Sequence, residues 1–540
     1  MQPSRDPHGI SRRSTGPVSL SRRAFSGRLL AAGASSLALP AWLRAQSGST
    51  GAPAVILGGR PEVSHGVMSG DVTADSAVIW SRATRPGRMV VEWSTHPDFR
   101  NVRRKIGPVT GPEADFTAKT LLTHLPAGER VFYRVRFEDR GSPGEAGAAV
   151  EGQLLTAPKT RKDVLFAWSG DTAGQGYGID SHYGGMKTYA SMLGVQPDFF
   201  VHSGDSIYAD NPIAAELKLP NGAVWRNELD PDKSKVAETV AEFRGSHRYN
   251  LRDPQVRAFN AHVPMLAQWD DHEVRNNWYP GQKLNEDARY REKSVDVLAA
   301  NARRAFFDYM PIRPSADSII YRSIARGPLC DLFFLDLRSY RGANNANRQA
   351  TRSHESDFMG TTQLEWLKKS MKASRALWKV VLTDMPLSLL VGDGANRWEA
   401  WANGDNGVPL GRELEIADLL AFLKAHSIHN VIWLTADVHY AASHHYSPSR
   451  AKFTEFNPFW EFVSGPLHAM SLGPGAMDQT FGPEAVWTAR PPGAPASGPY
   501  TAEQYFGTVR IDAKSGALSV THYNREGARL WSRELEPHAA

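Results

Sequence analysis

Nine residues, His202 to Asp210 (HSGDSIYAD), set a carboxylate and a phenol three positions apart at the end of the apolar run DFFVH. The oxygens of Asp205 can be shared between two cations, and a phenolate such as that of Tyr208 is a strong ligand for iron(III). Carboxylate, imidazole and phenolate donors select hard or borderline metals over soft ones. Three further apolar runs end alike: VLFAWSG delivers Asp171, PMLAQWD delivers Asp271 and His272, and NVIWLTA delivers Asp437 and His439. One Asp after a strand is commonly a cap or turn residue. Four such endings would converge on one edge of a sheet, where open α/β folds place their sites.

The elements that must carry these endings follow from the pattern. From residue 162 onward, VLFAW, DFFV, PMLAQW, LFFLDL, WKVVLT and NVIWL read as strands buried on both faces, with helices over 295–307 and 412–425 packed outside. The tail pair FGTVRID and ALSVTHYN reads as a hairpin closing a second sheet. Residues 211–254 read as a polar, loop-rich insertion near the site, and the Trp-rich stretch Arg397–Trp401 is expected at the pocket. Before residue 158 the runs DSAVIWSR, MVVEWS and VFYRVRFED, separated by Gly and Pro, predict a small β-sandwich of immunoglobulin or fibronectin type. In it, Gly70-Asp71 reads as a turn entering a strand. The single cysteine, Cys330, excludes an intrachain disulfide and reads as a small buried hydrophobe.

Charge is distributed unevenly. Residues 1–45 hold seven Arg and one Asp, a net of +6 against +5 for the whole chain, so the remainder is near −1. A nucleic-acid partner is therefore not implied by charge. Within this leader, SRRAF at 21–25 precedes an apolar run over 29–39 and a cleavage site after Ala45, the pattern of a twin-arginine export signal. The run is too short for a stable transmembrane segment, which takes about 20 residues. The expectation is a periplasmic or extracellular protein that engages the twin-arginine translocation machinery.

The segments GDSIY, WDDHEVRNN and ADVHY together resemble the alkaline phosphatase D (PhoD-like) family of calcineurin-like metallophosphoesterases, as do SGDVTADSAVIW, LDLRSYR and FVSGPLHA. The Asp-x-x-Tyr step is also similar to that of purple acid phosphatases. The resemblance implies an α/β fold, a metallophosphoesterase-type β-sandwich flanked by helices and preceded by a small all-β domain. Its boundaries are 1–45 for the signal, 58–158 for the N-terminal sandwich and 162–535 for the catalytic domain. It further implies that Asp205 bridges two metals, that Asp171, Tyr208 and His439 complete an iron(III) site, and that Asp271 and Asp437 hold a divalent cation. An oxygen-rich shell favours Ca²⁺ there over Zn²⁺. His272 would meet phosphate or protonate the leaving oxygen.

One departure matters. Some relatives offer a cysteine thiolate to iron shortly after the first strand, where this chain has Ser169-Gly170-Asp171, so Asp171 is the expected substitute. Asn276, Asn277 and Arg338 are candidate substrate contacts, the last because a guanidinium meets phosphate through two parallel hydrogen bonds. For Arg338, which lies close to a buried strand, a structural ion pair in the neighbourhood of Asp336 is the stronger reading. His444, His445 and His468 are left out of the metal set. The implied activity is hydrolysis of phosphomonoesters by metal-activated hydroxide, with no Ser or Cys nucleophile. A phosphodiesterase or phospholipase D-like activity is the alternative, and a non-catalytic phosphate- or ligand-binding protein is the rival from another class.

Overall fold

The computed structural model describes residues 59–141, 145–315 and 317–538. The leader over 1–45, with its expected signal, lies outside them.

Alternating apolar residues build two large sheets that pack face to face. The first has nine strands, and its centre is the parallel trio Val164–Ser169, Phe199–His202 and Met265–Ala267. The second has seven, centred on parallel Cys330–Phe334, Trp378–Leu382, Val431–Thr435 and Phe459–Val463. Phe166, Trp168 and Val201 from one sheet meet Leu332, Val380 and Leu434 from the other in a fully buried layer. Intervening positions such as Ala167 and Phe200 face the helices Lys187–Gly194, Val240–Asn250, Pro254–His262 and Val295–Tyr309. On the far side Phe333, Val381 and Trp433 face Gly360–Ala373 and Glu413–Ala425. Burial on both faces is what makes the sequence runs continuously apolar.

Two expectations need correction. The tail strands Tyr505–Ile511 and Leu518–Asn524 do form a hairpin, but they extend the first sheet by pairing with Val164–Ser169 rather than closing a second. The 211–254 insertion is less loop-rich than its polarity suggested, because it contains the helix Val240–Asn250. That helix starts in a capping box, Thr239 accepting from the Glu242 N–H while the Glu242 carboxylate returns to Thr239 N–H.

The N-terminal strands form a sandwich with its own core, which includes Val67, Ile79, Met89, Val91, Val131 and Val135. One layer is continuous with the first large sheet, since Val63–Gly70 runs parallel to Met265–Ala267 with Gly70 opposite Met265. A Cβ at Gly70 would stand 2.4 Å from Pro311 O and 2.5 Å from Met265 O, so only glycine admits this junction. The neighbouring Asp71 accepts from the Arg313 N–H at 2.7 Å and pairs with Arg322 at 2.9 Å. It is a fastening between N-terminal and later segments.

Candidate metal centre

The two sheets bring the carboxyl ends of their parallel strands to one edge. Ser169 is aligned with His202, and His202 with Ala267, so the loops carrying Asp171, Asp205 and Asp271 leave the first sheet side by side. Asp437 and His439 leave the second sheet two and four residues after Thr435. Each loop turns sharply: Asp171, Asp205, Asp437, His439 and Asn277 all have left-handed backbones, with φ from 53° to 68°. Non-glycine residues hold such conformations only where surrounding structure enforces them, and they concentrate at functional sites. Gly204, at φ 109°, clears the way for the Asp205 loop, because a Cβ there would lie 2.4 Å from that of Asp270.

Three sets of donor atoms, each within 4.8 Å of one another, result: Asp171, Asp205 and His439; Asp205, Asp271 and His272; Asp270, Asp271 and Asp437. Asp205 is common to the first two and Asp271 to the last two. The Tyr208 hydroxyl lies 2.8 Å from His439 Nε2, which is 3.6 Å from Asp171 Oδ1. His439 Nδ1 donates to the Met470 carbonyl at 2.5 Å, which leaves the Nε2 lone pair facing the centre. Burial holds His439 down at about 4, so the ring is neutral and able to ligate. All six residues expected as ligands are thus brought together.

The chemistry of this donor set fits cations. Both oxygens of Asp171 and one of Asp271 are buried without a hydrogen-bond partner. Burial first, then neighbouring acids, pushes the Asp171, Asp205 and Asp437 carboxyls far above their ordinary range. Such a group must take a proton or a cation. A divalent or trivalent ion relieves desolvation and mutual repulsion at once.

Around the centre, residues not singled out from the sequence hold the loops. Glu273 accepts from the main-chain N–H groups of Asp205, Ser206 and Asp270 and from the Ser206 hydroxyl, locking two ligand loops together. Asp210 accepts from His272 Nδ1 at 2.7 Å through one oxygen and from Asn276 N–H at 2.9 Å through the other. Both lie inside HSGDSIYAD and WDDHEVRNN, beside the candidate ligands, so the sequence signal for them sits in the same two segments. Stacked on Tyr208 at 4.2 Å, His272 has Nε2 3.9 Å from Asp271 Oδ1. Burial alone would lower its pKa, but Asp210, Asp271 and Asp205 outweigh it and raise it well above the usual value.

The substrate candidates divide. Asn277 donates its main-chain N–H to Asp271 and its amide to Asp393, while Asn276 is exposed at the rim. Arg338 is not available to phosphate: fully buried, it is enclosed by Asp270, Asp384 and Glu399 and stands 3.8 Å from Asp437. The phosphate clamp is thus corrected, and the structural ion pair is present but with Asp270, Asp384 and Glu399 as its carboxylates, tying the two sheets together. Arg341 is likewise buried, against Glu399 and Asn344. Nor does Trp401 line a pocket, since it packs edge-on against Phe358 in the core. His444 and His468 are buried on Glu461 and on the Gly178 carbonyl.

Two sheets in a helix-flanked sandwich, with Asp and His side chains gathered at the strand ends, define the metallophosphoesterase class of fold, and solved structures agree. "Structure of PhoD" superposes with a TM-score of 0.64 over 88% of this chain and 93% of that one at 19% identity. A purple acid phosphatase, PPD1, from yellow lupin seeds superposes with a TM-score of 0.52 over 88% and 74% at 12% identity. At these identities the likeness concerns the fold. The chain belongs to the PhoD-like phosphatase family: that family's profile matches residues 166–522, and the profile of its N-terminal domain matches 50–158. Alkaline phosphatase D of Bacillus subtilis (strain 168) is 27% identical over 397 residues, 69% of this chain and 64% of the relative, just under two thirds of that protein's length.

Proposed function

We propose that the protein is an exported phosphoester hydrolase that works with two cations and prefers monoesters. The observation that carries this reading is the position of Asp205, whose carboxylate lies within 4.8 Å of donors of Asp171 and His439 on one side and of Asp271 on the other. In this reading Asp171, Asp205, Tyr208 and His439 would hold iron(III), and Asp271 and Asp437 with Asp205 would hold a divalent ion, for which the oxygen-rich shell favours Ca²⁺. When bound, the ions supply positive charge toward the phosphate oxygens and acidify a water.

The remaining work falls to this chain's residues. Asp210 fixes the His272 ring through Nδ1, leaving Nε2 directed to the Asp271 side of the centre. Attack of water on phosphorus breaks the bond to the leaving oxygen, which takes the proton of His272 Nε2. Asn277 steadies Asp271, and Glu273 steadies Asp205. Residues 162–535 form the catalytic body in this reading, and residues 1–45 direct twin-arginine export.

The test is a paired rate on mature protein with a monoester and a diester of one chromogenic alcohol, before and after chelation and reloading. Metal-dependent preference for the monoester supports the reading. Preference for the diester replaces it with a phosphodiesterase, and turnover of neither points to a binding protein.

A further inference from the structure

An ammonium group taken out of water is costly unless a counter-charge faces it. Lys368 and Lys233 are both buried, and they are treated differently. Lys368 has its counter-charges, Asp418 at 2.8 Å and Glu365 at 3.0 Å. Among the described residues no carboxylate lies within 4.0 Å of Lys233 Nζ, which donates instead to the main-chain carbonyl of Tyr208 at 2.6 Å. Burial draws its pKa down to about 8, with the charge of Asp210 acting the other way. A methionine would fill the same space without that cost, so the carbonyl that Lys233 holds is informative.

The hydrogen bonds around Lys233 run to one loop. Its own carbonyl accepts from Ile213 N–H at 2.8 Å, so the residue clasps segment 208–213 at two points. Neighbouring carbonyls of the loop are taken by the same insertion: Asn250 Nδ2 donates to that of Ser206 at 2.9 Å, and Ala237 N–H to that of Ala209 at 2.9 Å. From the other side, Ala209 N–H donates to the His272 carbonyl at 2.9 Å. The Tyr208 ring is confined as well, since a Cβ on Gly174 would stand 2.7 Å from its Cζ. Tyr208 is thus gripped at its carbonyl by Lys233 and along its ring by Gly174, while its hydroxyl meets His439. A charged donor makes the carbonyl bond stronger than the neutral ones beside it.

We infer that Lys233 is a positioning residue for Tyr208: its ammonium fixes the peptide from which the phenol reaches the metal centre, and so makes the 211–254 insertion part of that centre's support. This rests on the iron–Tyr208 ligation in the reading above. Visible absorption of the iron-loaded protein reads the phenolate directly, with turnover and unfolding measured beside it. Lys233→Met is expected to move or weaken the phenolate-to-iron band and to lower kcat about tenfold, the usual effect of losing a partner that orients a ligand. Lys233→Arg, which keeps a cation, should keep part of both. Lys368→Met, at the other buried lysine, should leave the band in place. If Lys233→Met does not fold, Lys233→Gln, neutral and shorter, carries the same expectation. An unchanged band in a folded neutral variant overturns the assignment and leaves the hydrolase reading intact. So does failure of both neutral variants to fold, which would make Lys233 a support of the fold alone. No band in the unaltered iron-loaded protein overturns the Tyr208 ligation and the inference with it, whereas a band that answers to Lys233 without turnover of any ester overturns the hydrolase reading alone.

Discussion

Two sets of buried carboxylates meet at the same end of the sandwich and are treated in opposite ways. Asp270, Asp384 and Glu399 surround the guanidinium of Arg338, itself without exposed surface. Asp171, equally buried, has no donor for either oxygen, whereas Asp270 and Asp384 each leave only one oxygen without a donor. Removing a carboxylate from water costs several kcal/mol unless a counter-charge is supplied. The first set finds its counter-charge inside the fold; the second must obtain it from outside. Asp437 lies on the boundary, 3.8 Å from Arg338 and within the donor set of Asp270 and Asp271. A buried acid by itself therefore says little, and its nearest cation tells structure from chemistry.

That contrast can be broken by exchanging one member of each set. Asp205→Asn removes the oxygen shared by two donor sets and should lower turnover by on the order of 10³-fold or more, with metal content falling in protein that still folds. Rate and metal stoichiometry measured together check this, and unchanged turnover in folded protein sinks the bridging role. Arg338→Met should act on stability instead, by about 3–5 kcal/mol, because it strands buried carboxylates. Denaturant unfolding reads the loss. If stability holds while phosphate affinity drops, Arg338 serves substrate after all and the division between the two sets fails.

The carboxylates gathered at the centre were legible in the sequence because each sits directly after an apolar run, where strand and turn grammar fix its place. Asp171, Asp205, Asp271 and Asp437 needed no long-range information beyond strand order. Arg338 did need it. Its partners come from the loops after two strands, one in each sheet, and nothing in LDLRSYR shows that Asp270, Asp384 and Glu399 will enclose it. The tail hairpin was recognisable as a hairpin, yet its sheet was not, since pairing with Val164–Ser169 spans more than 330 residues of chain. The helix Val240–Asn250 was hidden by polar composition: its apolar contacts are few, chiefly Phe243 and Tyr249, and its start is set by a cap.

The His272–Asp210 pair sharpens the contrast with an intermediate effect. Asp210 is buried, yet its pKa is lowered, because His272 and the Asn276 N–H offset the burial. It is a paired acid placed beside the unpaired ones. Asp210→Asn should reduce turnover by about 10- to 100-fold, the usual cost of losing a partner that orients an active group. The sign of the pH effect is fixed as well. Asp210 raises the pKa of His272, so its loss lets His272 deprotonate at lower pH. The alkaline limb of the rate profile should move toward acid. A uniform fall with no shift would mean that Asp210 holds the loop and leaves the proton of His272 alone.

The smallest effect concerns the converse group, buried bases. His444 has its carboxylate, Glu461, at 2.9 Å. His522 has none: its ring lies against Trp487 and Trp168, Nε2 meets the Ser443 hydroxyl at 3.1 Å, and Nδ1 is unpartnered. Burial, aided by His444, lowers its pKa to about 3. The unfolded chain takes up that proton near the ordinary value of about 6.5, so the stabilising difference is complete above it and is lost as pH falls toward the folded value. At pH 5 the loss from this one ring is about 2 kcal/mol, from roughly 1.5 pH units at about 1.4 kcal/mol each. His522→Asn should lower stability at neutral pH by opening a cavity, yet flatten the decline between pH 6.5 and 5 by that amount. Chemical unfolding across this range measures the slope directly. An unchanged slope would show that His522 is hydrated or partnered in solution, and that a buried base, unlike the buried acids of the centre, finds its compensation without a charge.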